Sequence, residues 1–142
     1  MNPDEQLETL KSLARNRPVE DQWVPVEEFG LQHNPFAKMN DRARAVIADK
    51  VYDYKHYKIF GRPKMIPLSE IRWTLQARVD RDRVLAYARG EGERGKPMVL
   101  TRQEITVIEY ENSYLLLDGN HRISALRYQK LPEDTMLSVI AV

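Results

Sequence analysis

The chain has no cysteine, which removes disulfides, zinc–thiolate sites and cysteine nucleophiles from consideration. It has only three phenylalanines and two tryptophans. Charge of one sign is also missing. Its 22 basic and 21 acidic residues leave a formal net charge of +1, so the overall field gives no reason to invoke nucleic acid and only local clustering could do so. No apolar run approaches the ~20 residues of a membrane span. The first residues, Met1-Asn2-Pro3-Asp4-Glu5, are polar and acidic, unlike a signal peptide. These absences lead to the expectation of a cytoplasmic protein without a membrane partner. What remains is 142 residues, 42% hydrophobic and 30% charged, enough for one globular domain with a core and an appendage.

The densest chemistry lies in Leu115-Leu116-Leu117-Asp118-Gly119-Asn120-His121-Arg122-Ile123-Ser124-Ala125-Leu126. Three leucines in a row read as a strand buried on both faces. Asp118-Gly119-Asn120 is a turn signal, and Ile123, Ala125, Leu126 and Tyr128 then follow helical spacing. A helix start carries unpaired N–H groups and a partial positive charge. Glycine lets a ligand approach that backbone closely, and His121 and Arg122 add donors. Together these make an anion site, with phosphate the best-suited anion. The plainer reading has Asp118 capping the helix, His121 bonding a carbonyl and Arg122 on the surface.

Ahead of this stretch, Asp4–Asn16 reads as an amphipathic helix with Leu7, Leu10 and Leu13 on one stripe. That stripe packs on the domain or meets a second copy or protein partner. Arg17–Asn40 reads as irregular, its prolines and Gly30 interleaved with Trp23, Phe29 and Phe36. Those aromatics lie on a core or form a base-stacking surface. Asn40 or Asp41 starts a second helix through Ala43, Val46, Ile47, Val51 and Tyr54. Its end, Tyr52-Asp53-Tyr54-Lys55-His56-Tyr57-Lys58, places cations at a helix C-terminus. Lys55, Lys58, Arg62, Lys64 and Arg72 alternatively form a patch for nucleic-acid phosphates.

A compositional boundary near Gly61-Arg62-Pro63 separates helices and loops, residues 1–62, from a mixed segment, residues 63–142. In the latter, Met65–Leu68 reads as a strand with an edge-type proline and Ser69–Arg72 as a helical turn. Arg81–Arg89 reads as a helix ended by Gly90. Pro97–Thr101 and the run from Ile105 to Tyr110 read as strands, and Glu111-Asn112-Ser113 as a hairpin turn. Leu131–Asp134 is a break and Met136–Val142 a closing strand. The expected class is α+β, a small mixed sheet with flanking helices preceded by a helical N-terminal extension.

Four segments in order carry a family likeness over Met65–Val142. Met65-Ile66-Pro67-Leu68-Ser69-Glu70-Ile71-Arg72 resembles the opening strand and turn of a ParB N-terminal domain. Gln76-Ala77-Arg78 stands where that family has Gln-Pro-Arg, and Pro97-Met98-Val99-Leu100 resembles its next strand. Asp118–Ala125 is similar to its Gly-x-(Arg/His)-Arg-x-x-Ala phosphate motif. The segment thus resembles the ParB/sulfiredoxin-like superfamily.

That likeness implies a nucleotide-binding fold, with ATP or CTP and Mg²⁺. Gly119, Asn120, His121 and Arg122 would lie at the phosphates and Arg78 near the nucleotide. Asp118 would be a Mg²⁺ ligand, a base or an organiser of the phosphate site. Asp118, His121 and Glu70 are the candidates for catalysis, as a nucleotide hydrolase or small-molecule kinase. The family also includes DNA-binding clamps and ParB-like nucleases, and a non-catalytic interaction module could keep the fold. Sulfiredoxin chemistry needs a cysteine where Asn120 stands, so it is excluded. Partition ParB proteins continue into a helix-turn-helix domain, and this sequence stops at Val142, so a complete partition clamp is not expected.

Overall fold

The computed structural model describes residues 2–14, 22–33, 39–57, 61–92 and 105–142. Its elements are α1 (Pro3–Ala14), β1 (Trp23–Pro25), β2 (Gln32–His33), α2 (Asp41–Tyr57), β3 (Arg62–Pro67), β4 (Trp73–Thr74), β5 (Arg78–Asp80), α3 (Arg81–Ala88), β6 (Ile105–Tyr110), β7 (Ser113–Asp118), α4 (Asn120–Tyr128) and β8 (Met136–Ala141). Short 3₁₀ turns, Val26–Phe29 and Leu68–Glu70, follow β1 and β3.

β6 and β7 form the centre because their apolar residues point both ways. Between them Glu111 (φ 47°) and Asn112 (φ 64°) make a two-residue turn with both residues left-handed, the geometry that suits the twist of a hairpin. Tyr114 to Leu117 are all buried. Successive strand residues face opposite sides. Accordingly, Tyr114 and Leu116 join one core, with Ile105, Val107, Val139, Val84, Ile123 and Leu126. Leu115 and Leu117 join the other, with Leu10, Ile47, Ala48, Val51 and Ile108.

The molecule is α+β: among the described residues, four helices, a mixed six-stranded sheet ordered β2-β4-β7-β6-β8-β3, and a small antiparallel sheet of β1 and β5. α1 and α2 cover one face of the large sheet. α3, α4 and the small sheet cover the other. α2 starts as expected at Asn40, whose Oδ1 accepts the Ala43 N–H at 2.7 Å. β3 is an outer strand among the described residues and carries prolines at 63 and 67.

Arg17–Asn40 departs from the irregular reading. It contains β1 and β2, which hydrogen-bond to β5 and β4 from beyond residue 63. Residues on both sides of position 62 therefore share sheets and cores. Trp23 and Phe29 are buried, which takes them away from any base-stacking surface. Leu10 of α1 is fully buried in the core shared with α2, and Leu7 packs against that core. The strand expected at Pro97–Thr101 and the ring of Phe36 lie outside the described residues. No helix among the described residues is long and apolar enough to cross a membrane.

Candidate functional site: the β7–α4 turn

β7 ends at Asp118, an exposed residue, and Gly119 turns the chain into α4 with φ 101° and ψ 20°. Only glycine takes that conformation without strain. A Cβ there would stand 3.2 Å from the Ile105 side chain, so the backbone is also closely approached. Among the described residues no side chain caps α4. Asp118 does not reach the helix amides. Its Oδ1 accepts the N–H of Gly119 at 2.9 Å, one position short of the first turn. Among the described residues no carboxylate neutralises the partial positive charge of that helix end.

Arg122 sits half-buried in this first turn, and its guanidinium makes no hydrogen bond or ion pair among the described residues. A cation at the positive end of a helix is disfavoured unless an anion joins it. Asp118 and Arg122 are thus the two side chains of the turn that remain available to a ligand.

The two side chains between them, on Asn120 and His121, are engaged within the fold. Asn120 is 4% exposed, and the Thr74 hydroxyl donates to its Oδ1. Its Nδ2 donates to Gln76 Oε1 at 3.5 Å. His121 Nε2 accepts the Asp80 N–H at 3.0 Å. In a neutral imidazole the nitrogen that accepts carries no proton, so Nε2 is not a donor to phosphate in this arrangement. Trp23 and Tyr87 meet the imidazole edge-on, with centroids 6.0 and 6.3 Å away. Both residues are expected at the phosphates; the burial of Asn120 and the bonds of both make them anchors of the turn instead.

The structure does bring Gln76-Ala77-Arg78 to the turn. Gln76 contacts Asn120, and its Nε2 donates to the Arg78 carbonyl. Arg78 Nη1 donates to the Trp23 carbonyl at 3.0 Å, which commits part of that guanidinium to β1.

Glu70 lies elsewhere. It lines a cavity of about 280 Å³ with Arg72, Asn112 and Ser113, at the hairpin end of β7. Asp118 closes the opposite end of that six-residue strand, roughly 17 Å away at a strand's rise per residue. Glu70 and Asp118 therefore do not share a reaction centre.

The cations expected to meet nucleic acid are largely engaged. Arg62 and Lys64 both pair with Glu109, at 3.3 and 3.1 Å. Lys64 holds the Glu109 carboxyl below its ordinary range, with Arg62 adding to the effect. Lys64 also lies over the Tyr114 ring, 5.1 Å from its centroid. Arg72 donates to the Ser69 carbonyl at 2.9 Å. Lys55 is exposed on the last turn of α2, and Lys58 lies outside the described residues.

Among the described residues no three His, Asp or Glu side chains converge as a metal cage. Asp118 alone fits the one-carboxylate mode in which Mg²⁺ is held mainly by water and substrate phosphates.

Thr74, Asp80, Trp23 and Tyr87 complete the site and escaped the sequence reading as partners of it. For Asp80 a local signal existed, since it stands in cap position before α3. For Thr74 none did, because its partner is 46 positions away.

No protein-family model, curated protein or solved structure matches this chain.

Proposed function

We propose that the chain binds a nucleoside triphosphate, ATP or CTP, at the β7–α4 turn, and that it hydrolyses the nucleotide or transfers its phosphoryl group. The observation that carries this is the uncapped start of α4 at a left-handed glycine, beside an Arg122 guanidinium with no partner among the described residues. The helix amides and Arg122 hold phosphate oxygens, charge stabilisation that phosphoryl transfer chiefly requires. Asp118 faces solvent with Oδ1 tied to Gly119, which leaves Oδ2 to a Mg²⁺ ion, whose role is to neutralise phosphate charge. Asp118 is also the one acid of the turn placed to orient an acceptor, since Glu70 belongs to the other end of β7. His121 and Asn120 set the backbone rather than touch the ligand.

The Asp118–Ala125 motif, with Gln76 of the Gln76-Ala77-Arg78 segment bonded to its Asn120, supports reading this region as ParB/sulfiredoxin-like. The nuclease or DNA-binding alternative draws on five cations, three of which, Arg62, Lys64 and Arg72, are engaged by Glu109 and Ser69, and no specific observation favours it.

Calorimetry with ATP, CTP and GTP, with and without Mg²⁺, tests the proposal. We expect saturable binding of one of these, strengthened by Mg²⁺, with Arg122→Ala weakening it by about tenfold or more, as for a lost charge-assisted contact. Absence of heat with all three nucleotides sinks it, and unchanged affinity in Arg122→Ala moves the phosphates elsewhere.

A further inference from the structure

Behind the turn lies a closed ring of hydrogen bonds that joins it to β4 and to the segment leading into β5. The Thr74 side chain is fully buried. Its hydroxyl donates to Asn120 Oδ1, and its oxygen accepts the Gln76 N–H at 3.1 Å. Asn120 Nδ2 donates to Gln76 Oε1, which closes the ring through the Gln76 side chain. Gln76 Nε2 then extends it to the Arg78 carbonyl. The Leu116 carbonyl is also 3.3 Å from the hydroxyl, but the hydroxyl has one proton to give and Asn120 Oδ1 is the nearer acceptor. Every donor in the ring points the same way round, the arrangement in which hydrogen bonds reinforce one another.

An amide at the first position of a helix could be replaced by any small residue if its only task were to continue the chain. Here both ends of the amide are consumed, at 4% exposure, on one side chain from β4 and one from the following segment. From this we infer that Thr74 and Asn120 are positioning residues of the phosphate site. They fix where the first turn of α4, and with it Arg122, stands relative to Gln76-Ala77-Arg78. This rests on the nucleotide reading above and deepens it: the ligand is recognised by a turn held rigid from behind, rather than by a loop that closes on binding.

The test compares Thr74→Val, which keeps the shape and removes the hydroxyl, with Thr74→Ser, which keeps the hydroxyl. Two readouts are taken at a temperature where every variant is fully folded: nucleotide affinity by calorimetry, and amide hydrogen exchange across residues 120–126 without nucleotide. We expect Thr74→Val to weaken binding about tenfold and to speed exchange at the start of α4, with Thr74→Ser restoring both, because removing one partner leaves buried polar groups unsatisfied. A merely structural hydroxyl lowers thermal stability but leaves the affinity of the folded protein unchanged. Wild-type affinity in Thr74→Val therefore overturns the inference, as does wild-type exchange at the start of α4. If the wild type binds no nucleotide, the functional proposal falls on that arm alone, and exchange in Thr74→Val still decides whether the ring holds the turn.

Discussion

α3 and α4 lie side by side with their starts together, tied at one end by the bond from Asp80 N–H to His121 Nε2 and at the other by Gln129 Nε2 donating to the Ala88 carbonyl. Their ends are built differently. α3 opens on Asp80, whose carboxylate accepts the N–H groups of Asp82 and Arg83 at 3.0 and 3.3 Å. It closes on Gly90 at φ 80°, with Gly90 N–H bonded to Tyr87 and Glu91 N–H to Ala86. α4 opens on Gly119 with no side-chain cap. It closes through the same pair of bonds, Lys130 N–H to Arg127 and Leu131 N–H to Leu126, but with Lys130 in the left-handed position at φ 56°. α3 follows local preference at both ends. α4 starts on a glycine with no side-chain cap and ends on a lysine where glycine is preferred, and is held by burial of Ile123, Ala125 and Leu126 and by its polar anchors. One helix of the pair thus begins with its amides bonded to a carboxylate, and the other begins without such a cap.

The largest expected effect is at the open start. Gly119→Ala imposes a left-handed conformation on a residue with a Cβ and presses that Cβ toward Ile105 at 3.2 Å. It should cost about 1–3 kcal/mol in urea unfolding; a neutral result would make this turn an ordinary one. Asp80→Ala removes the closed start and should cost about 1 kcal/mol, with faster amide exchange at Asp82 and Arg83. Equal exchange in variant and wild type would show that α3 does not need its cap. Lys130→Gly should raise stability by about 0.5 kcal/mol, since glycine takes φ 56° without the Cβ penalty. A loss there would mean that Lys130 has a contact worth more than its strain.

The smallest effect lies away from both helices. Glu109 has its carboxyl depressed below 4.5, first by Lys64. A depressed carboxyl adds stability that is fully present above its unfolded value and is lost as pH falls through the folded one. Glu109→Gln should therefore remove ~0.5 kcal/mol or less at neutral pH, given a side chain 28% exposed, and flatten the acid limb of the pH–stability curve below 4.5. A change in nucleotide affinity in this variant would break the separation between that edge and the β7–α4 turn.

How much of this was legible depends on range. α2, α3, the β6–β7 hairpin and β8 follow from periodicity and turn residues within a dozen positions of themselves. β1, β2, β4 and β5 are two or three residues each and exist only because a distant strand pairs with them, as Trp23 with Asp80 and Trp73 with Leu115. The Asp118–Arg122 turn was visible as local chemistry. Its division of labour was not, because His121 is claimed by Asp80 and Asn120 by Thr74, both more than 40 positions upstream. The same holds for Arg62 and Lys64, cations whose neutralising partner, Glu109, comes more than 40 positions later.

The prolines of β3 bear on how this molecule behaves in a crowded solution. An outer strand normally offers a row of amides and carbonyls on which another chain can lay a strand of its own. Proline has no amide to give, and Pro63 and Pro67 bracket Met65 at two-residue spacing, the period with which one side of a strand repeats. A newcomer pairing along that side finds the donor missing on either side of Met65. Met65 and Met136, both exposed on β3 and β8, can thus stay uncovered without inviting the sheet to grow into the next molecule.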